Sequence, residues 1–244
     1  MLRDMIGEPI RVGRWFQGPS GSGQGGWTAH RFSSRLPAPI TTAIRAPIPL
    51  DVDLRVIGGD GQWELVDDHG VTLLVGETWD PVFADTAPVT IDDARSARAG
   101  FADHIPDHPV PHCFSCGVQH DSMNVHAAPL DDDRVACDWT VPDWAVSADG
   151  VVDTGALWAA LDCCTAWWVG YSRGRRIAFT VQYAVEETAP LRPGATYALV
   201  GWAGDHDPEW QGRKRHGASA AFDADGRCVA RSVSLWVAAP TDDA

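Results

Sequence analysis

The sequence predicts an α+β fold made of two copies of one unit joined in tandem. Two internal matches and one ordering of elements predict it. The stretch Ala46-Pro47-Ile48-Pro49-Leu50-Asp51-Val52-Asp53-Leu54-Arg55-Val56-Ile57-Gly58 lies without a gap over Ala189-Pro190-Leu191-Arg192-Pro193-Gly194-Ala195-Thr196-Tyr197-Ala198-Leu199-Val200-Gly201. Each is a Pro-rich turn leading into a β-type run. The second match sets Asp67-Asp68-His69-Gly70-Val71-Thr72-Leu73 over Asp223-Ala224-Asp225-Gly226-Arg227-Cys228-Val229. Each has a hairpin turn ending in Gly and then a strand. A helix candidate precedes each block, and consecutive strand signals follow it, which is an α+β order and not βαβ.

The elements follow in order. The first helix is expected from about Gly26 to Leu36 and the second from about Asp153 to Gly170. A strand over Arg134 to Val141 precedes the second helix. An insertion around Asp205 to Gly217 shifts the register between the two matches. The expected halves are residues 1–84 and 112–244. A connecting segment, 85–111, is rich in Pro, Asp and Ala and has room for one short helix.

Composition narrows the partners. The chain has 244 residues, 45% hydrophobic and 21% charged, an ordinary globular balance. Met1 to Ile10 has no apolar h-region, and no run approaches the roughly 18 apolar residues of a membrane span. A cytoplasmic protein with no membrane partner is expected. The net charge of -14 repels nucleic acid. Six cysteines without an export signal, two of them adjacent (Cys163 and Cys164), read as reduced thiols.

The second helix carries the sharpest local signal. Gly155-Ala156-Leu157-Trp158-Ala159-Ala160-Leu161-Asp162-Cys163-Cys164-Thr165-Ala166-Trp167-Trp168-Val169 is apolar nearly all round, as a buried helix is. Asp153 or Thr154 can cap its start. Asp162 is the only charged residue in that run. Burying a lone carboxylate costs several kcal/mol unless it is paired, hydrogen-bonded or protonated, so Asp162 is a functional candidate. The ordinary alternative is a carboxylate tied to a backbone amide or an arginine. The first helix opens on Gln24-Gly25-Gly26, where exposed amides at the positive end of the helix dipole can receive an oxyanion. A flexible glycine loop is the plain alternative there.

With these residues in view, the chain resembles the double-hotdog acyl-CoA thioesterases and the wider thioesterase-like hotdog group. Gln24-Gly25-Gly26 is similar to that group's Gly-Gly entry to the central helix. Trp158-Ala159-Ala160-Leu161-Asp162 is similar to its acid-bearing helix. Cys113-Phe114-Ser115-Cys116-Gly117 is similar to a turn that opens many single-hotdog relatives. The resemblance implies a tandem double hotdog, with two antiparallel sheets, each wrapped round a central helix, that join side by side. It implies hydrolysis of an acyl-CoA-type thioester between the halves. Asp162 would be the acid, Gly25 and Gly26 would give amides, and Gln24 would assist. Thr165, one turn beyond Asp162, would position water or the carboxylate. Thr180 would match a threonine that serves the acid in one branch of the family, where Ser234 stands in place of that branch's glutamine. Trp158 would line the acyl site. Arg175, and Arg213 with Arg215, from two basic clusters, would bind the CoA phosphates, with plain solubility and helix capping as the alternative. No cofactor is expected, and a homo-oligomer is compatible with this reading. The first helix has only Ser33 and Ser34 where a second acid would stand, so at most one of two pseudo-symmetric sites is expected to act.

Other readings stay open. A binding protein would hold acyl-CoA or another hydrophobic ligand without chemistry. A hotdog dehydratase would pair an acid with His30. A zinc knuckle could use His112, Cys113, Cys116 and His120, with His104 and His108 upstream. No second Cys-x-x-Cys exists, and Pro106, Pro109 and Pro111 keep those histidines off one helix. No metal is therefore expected, and Cys163 and Cys164 read as core thiols. No P-loop, dinucleotide fingerprint or Gly-x-Ser-x-Gly elbow is present.

Overall fold

Residues 6–37, 40–78, 81–104, 107–119, 121–171 and 177–239 are described by a computed structural model of the chain. In the first part of the chain, β1 (Ile10–Arg11) and α1 (Gly25–Ser33) precede β2 (Thr41–Ile44), β3 (Asp53–Gly59), β4 (Gln62–Val66) and β5 (Thr72–Glu77). The connecting segment holds α2 (Ile91–Ala99) and α3 (Phe101–His104). The second part has β6 (Ala128–Pro129), β7 (Val135–Thr140), α4 (Gly155–Tyr171), β8 (Ala178–Glu187), β9 (Thr196–Trp202), β10 (Lys214–Phe222) and β11 (Cys228–Ala238). No helix among the described residues is long and apolar enough to cross a membrane.

The strands form one sheet, in the order β1-β3-β4-β5-β2-β8-β11-β10-β9-β7-β6. The two expected sheets, joined side by side, are thus one continuous sheet. The halves meet where β2 pairs antiparallel with β8, Thr42 opposite Tyr183 and Ala43 opposite Gln182. Each strand would otherwise be an edge with unpaired backbone groups, and pairing them satisfies both.

Apolar packing lies on both faces of this sheet. α1 sits over β3 to β5 with Phe32, Leu54, Leu65 and Leu74 buried. α4 sits over the strands of the second half with Leu157, Leu161, Trp168 and Leu199 buried. The opposite face of the second half carries α2, with Ala94, Ala136, Ala198 and Val200 buried. β9 is therefore covered on both faces, which is why its run Thr196–Trp202 lacks the polar alternation of a half-exposed strand. The connecting segment contains two helices where one was expected. It is docked rather than free: Arg95 and Arg98 of α2 both pair with Asp138 of β7.

The helix bounds differ slightly from the expected ones. α1 stops at Ser33, short of Leu36 and four residues before Pro37. α4 starts at Gly155, whose amide donates to Asp153 Oδ1 at 3.0 Å.

Both sequence matches recur as bonding patterns. At the start of the first, the amides of Arg45 and Ala46 donate to the Leu73 carbonyl, and those of Thr188 and Ala189 donate to the Val229 carbonyl. Asp67 Oδ1 accepts from the amides of His69 and Val71, and Asp223 Oδ1 accepts from those of Asp225 and Arg227. Gly70 and Gly226 close these turns at φ 80° and 75°. A third correspondence escaped the sequence reading. Bridges Gln17–Gly23 and Val146–Val152 precede α1 and α4 respectively. The next amide bonds also correspond: Gln24 N to Phe16 O, and Asp153 N to Ala145 O. In this register Trp15 matches Trp144, and Gly21 matches Gly150, the two glycines at φ 75° and 79°.

Candidate active site

The first turn of α1 abuts the middle of α4. Gly26 permits this approach. A Cβ on it would lie 2.5 Å from the Trp158 carbonyl oxygen and 2.8 Å from Asp162 Cβ, closer than real atoms pack. Without a side chain there, the Gly26 amide reaches Asp162 Oδ2 at 3.2 Å.

Asp162 is 4% exposed and accepts three hydrogen bonds. Gln24 Nε2 donates to Oδ2 at 2.6 Å, the Gly26 amide donates to the same oxygen, and Thr180 Oγ1 of β8 donates to Oδ1 at 2.7 Å. Burial pushes the carboxyl up to about 7. The bonds from Thr180, Gly26 and Gln24 pull the other way, and the nearby Cys113 sulfur adds to the rise. Such a group exchanges a proton near neutrality, as a general base must.

Gln24 is the N-cap of α1. Its Oε1 accepts from the Trp27 amide at 2.6 Å while its Nε2 serves Asp162. A flipped amide would set donor against donor at Trp27 and acceptor against carboxylate at Asp162, so the network fixes its orientation. The cap amides are thereby sorted. Thr28 N donates to Gln24 O, Trp27 N to Gln24 Oε1 and Gly26 N to Asp162. The Gly25 amide has no acceptor among the described residues, and Gly25 is half-buried. A side chain there would point at Ile44 Cδ1, Asp162 Oδ2 and Thr180 Cβ. Gly25, Ile44 and Thr180 thus pack against one side of the carboxylate. Ile44 had no sequence signal, because only the β2–β8 pairing brings it there.

The structure therefore brings together Asp162, Gln24, Gly25, Gly26 and Thr180. It does not bring Thr165 to the carboxylate: the Thr165 hydroxyl bends back to the Leu161 carbonyl at 3.1 Å, within its own helix. Trp158 packs between the helices, its Nε1 bonded to Glu187 Oε1 at 2.7 Å and its ring edge-on to Tyr183 and His30. Ser234 turns away and donates to the Gly217 carbonyl at 3.1 Å. His30 is bonded to Thr154, 3.0 Å away, and burial lowers its pKa. Ser33, where a second acid would stand, lies 3.4 Å from the Thr42 hydroxyl.

The basic residues differ in placement: Arg215 is buried and Arg213 is exposed. Arg215 is 1% exposed, its guanidinium 3.9 Å from the Trp168 ring centre and its Nη1 on the Val169 carbonyl at 2.9 Å. It closes the end of α4 from inside the protein, where no phosphate can reach it. Arg213 forks onto the Ala238 carbonyl at 2.9 and 2.7 Å and holds the end of β11. Arg175 lies outside the described residues, as do Arg173, Arg176 and His120. Replacing Arg215 by Met should cost about 2–3 kcal/mol through the lost charged hydrogen bond and ring stacking. Denaturant unfolding would measure that loss, and the KM for a CoA substrate should not move.

No protein-family model matches the sequence, and no curated protein does. Solved structures match the fold. A protein from Novosphingobium aromaticivorans, provisionally described as a thioesterase, is 14% identical, with 95% of each chain covered and a TM-score of 0.61. A protein from Lactobacillus plantarum, provisionally described as an oleoyl thioesterase, is 8% identical, with 98% of each chain covered and a TM-score of 0.55. The chain thus shares the hotdog fold of these two proteins over nearly its whole length.

Proposed function

We propose that the chain is a double hotdog that hydrolyses an acyl-CoA-type thioester where the start of α1 meets the middle of α4. The observation that carries this reading is the buried Asp162 carboxyl, held by donors from both halves beside an unspent helix-start amide. The recurring turns and bridges support descent of the halves from one duplicated unit. The fold likeness supports thioester chemistry as the class.

In this mechanism the thioester oxygen docks on the Gly25 amide, at the positive end of α1. Asp162 takes a proton from water as the water oxygen attacks the carbonyl carbon. The tetrahedral oxyanion grows against the Gly25 amide. The C–S bond then breaks, and the thiolate leaves and gains a proton. Gln24 and Thr180 hold the carboxylate so that one lone pair faces the water. Thr180→Val removes one hydrogen bond to the charged group. That is about 1.5–3 kcal/mol, so kcat should fall roughly 10–100-fold with little change in KM, which steady-state kinetics would check.

The experiment for the reading as a whole is a panel of acyl-CoA esters, with free thiol as the readout. Release of CoA thiol well above the rate without protein supports it. A second reading draws on the enclosure of Asp162 and the turned-away Ser234: a binding protein for acyl-CoA or another hydrophobic ligand. No thiol release across the panel, together with a Tm raised by acyl-CoA, would favour that reading.

A further inference from the structure

Three thiols from two distant segments converge beside this site. Cys113 and Cys116 flank the turn that precedes β6, and Cys163 comes from α4. All three are buried, and their sulfurs lie within 4.8 Å of one another. Cys113 and Cys163 are 3.8 Å apart. A tetrahedral ion with metal–sulfur bonds of about 2.3 Å sets its sulfurs roughly 3.8 Å apart.

The Gly117 amide closes the turn on the Cys113 carbonyl at 2.7 Å, and a Cβ at Gly117 would run into the Cys113 and Pro111 carbonyls. Gln24 Nε2 lies 3.7 Å from the Cys163 sulfur. The nearby histidines act on the backbone: Nε2 of His108 and of His126 lie 2.7 and 3.1 Å from the Cys116 carbonyl. Of the histidines weighed for a zinc knuckle, His108 thus serves the backbone, and His120 lies outside the described residues. The third sulfur comes from the residue next to Asp162.

We propose that Cys113, Cys116 and Cys163 bind one thiophilic d10 cation, Zn(II) or Cu(I), which pins the turn to α4. On binding, the three thiols release three protons to solvent and each sulfur gives one lone pair to the ion; no electron is transferred. Three thiolates complete a trigonal Cu(I) shell. Zn(II) would add one small exogenous ligand such as water. Thiolate sulfur is the donor that selects these ions over harder ones.

The test uses the full chain, purified anaerobically with its thiols reduced. Zn(II) is titrated against a chromophoric chelator and Cu(I) against bathocuproine. Co(II) serves as a spectroscopic probe, with its thiolate-to-metal charge-transfer band as the readout. The expected result is about one equivalent of Zn(II) or Cu(I) per chain. Cys163→Ser should weaken binding at least ~10-fold, whereas Cys164→Ser, buried next to it but outside the trio, should bind as the parent does. Cys113→Ser gives a second loss variant, and near-ultraviolet circular dichroism shows that each variant is folded. Uptake of Zn(II) with a cobalt charge-transfer band places the ion in a tetrahedral site, and uptake of Cu(I) alone places it in a trigonal one. Either supports the proposal. Background uptake of both ions, or equal affinity in parent and Cys163→Ser, overturns it. Metal uptake is read without turnover, so a silent hydrolysis panel leaves this result independent.

Discussion

Gly26→Ala should destabilise the protein by about 2–3 kcal/mol, lowering Tm by roughly 5–10 °C, and should cut turnover at least ~100-fold. The added methyl would meet the Trp158 carbonyl oxygen at 2.5 Å and Asp162 Cβ at 2.8 Å. Both belong to α4, so a side-chain rotation cannot relieve the clash and one helix must move. Movement of α1 away from α4 draws the Gly26 amide off Asp162 and misplaces Gln24 with it. Gly59→Ala is the control. A Cβ there meets nothing within 4 Å and Gly59 has no positive φ, so stability and turnover should hold. Thermal unfolding and thiol-release kinetics on the two variants check both parts.

Asp162→Asn should lower turnover by about 10³–10⁴-fold, near the upper range for loss of a general base. The fold should survive. Asparagine has the same shape, and its oxygen can accept from Gln24 and Gly26 as Oδ2 does now. Its amide nitrogen then faces Thr180, whose hydroxyl can accept instead of donate. The change also removes a buried charge whose desolvation opposes ionisation, so no large stability loss is expected. Substrate binding should persist, because the Gly25 amide is untouched.

The parts of this site differ in how far sequence reveals them. Asp162 is legible because it is a lone charge in an apolar helical run, a local pattern. Gln24-Gly25-Gly26 is legible as a helix entry for the same reason. Arg215 shows the limit: beside Arg213 and Lys214 it reads as a basic surface cluster, yet strand alternation turns it inward under Trp168. Cys163 beside Cys164 reads as core, because nothing local shows that the Cys113–Cys116 turn folds against it. The hairpin repeats are plain in the sequence, whereas the single sheet depends on β2 finding β8, a pairing of four residues across more than half the chain. Thr165 sits one turn from Asp162, but its hydroxyl finds its own helix carbonyl first, a common fate of a buried helical threonine.

The central claim is best tested by single-turnover release of CoA thiol, with protein in excess over an acyl-CoA that raises its Tm, for the parent and Asp162→Asn side by side. The account predicts that the parent frees the thiol while the variant holds the intact thioester over the same interval. Equal rates in a folded variant that still binds would contradict it.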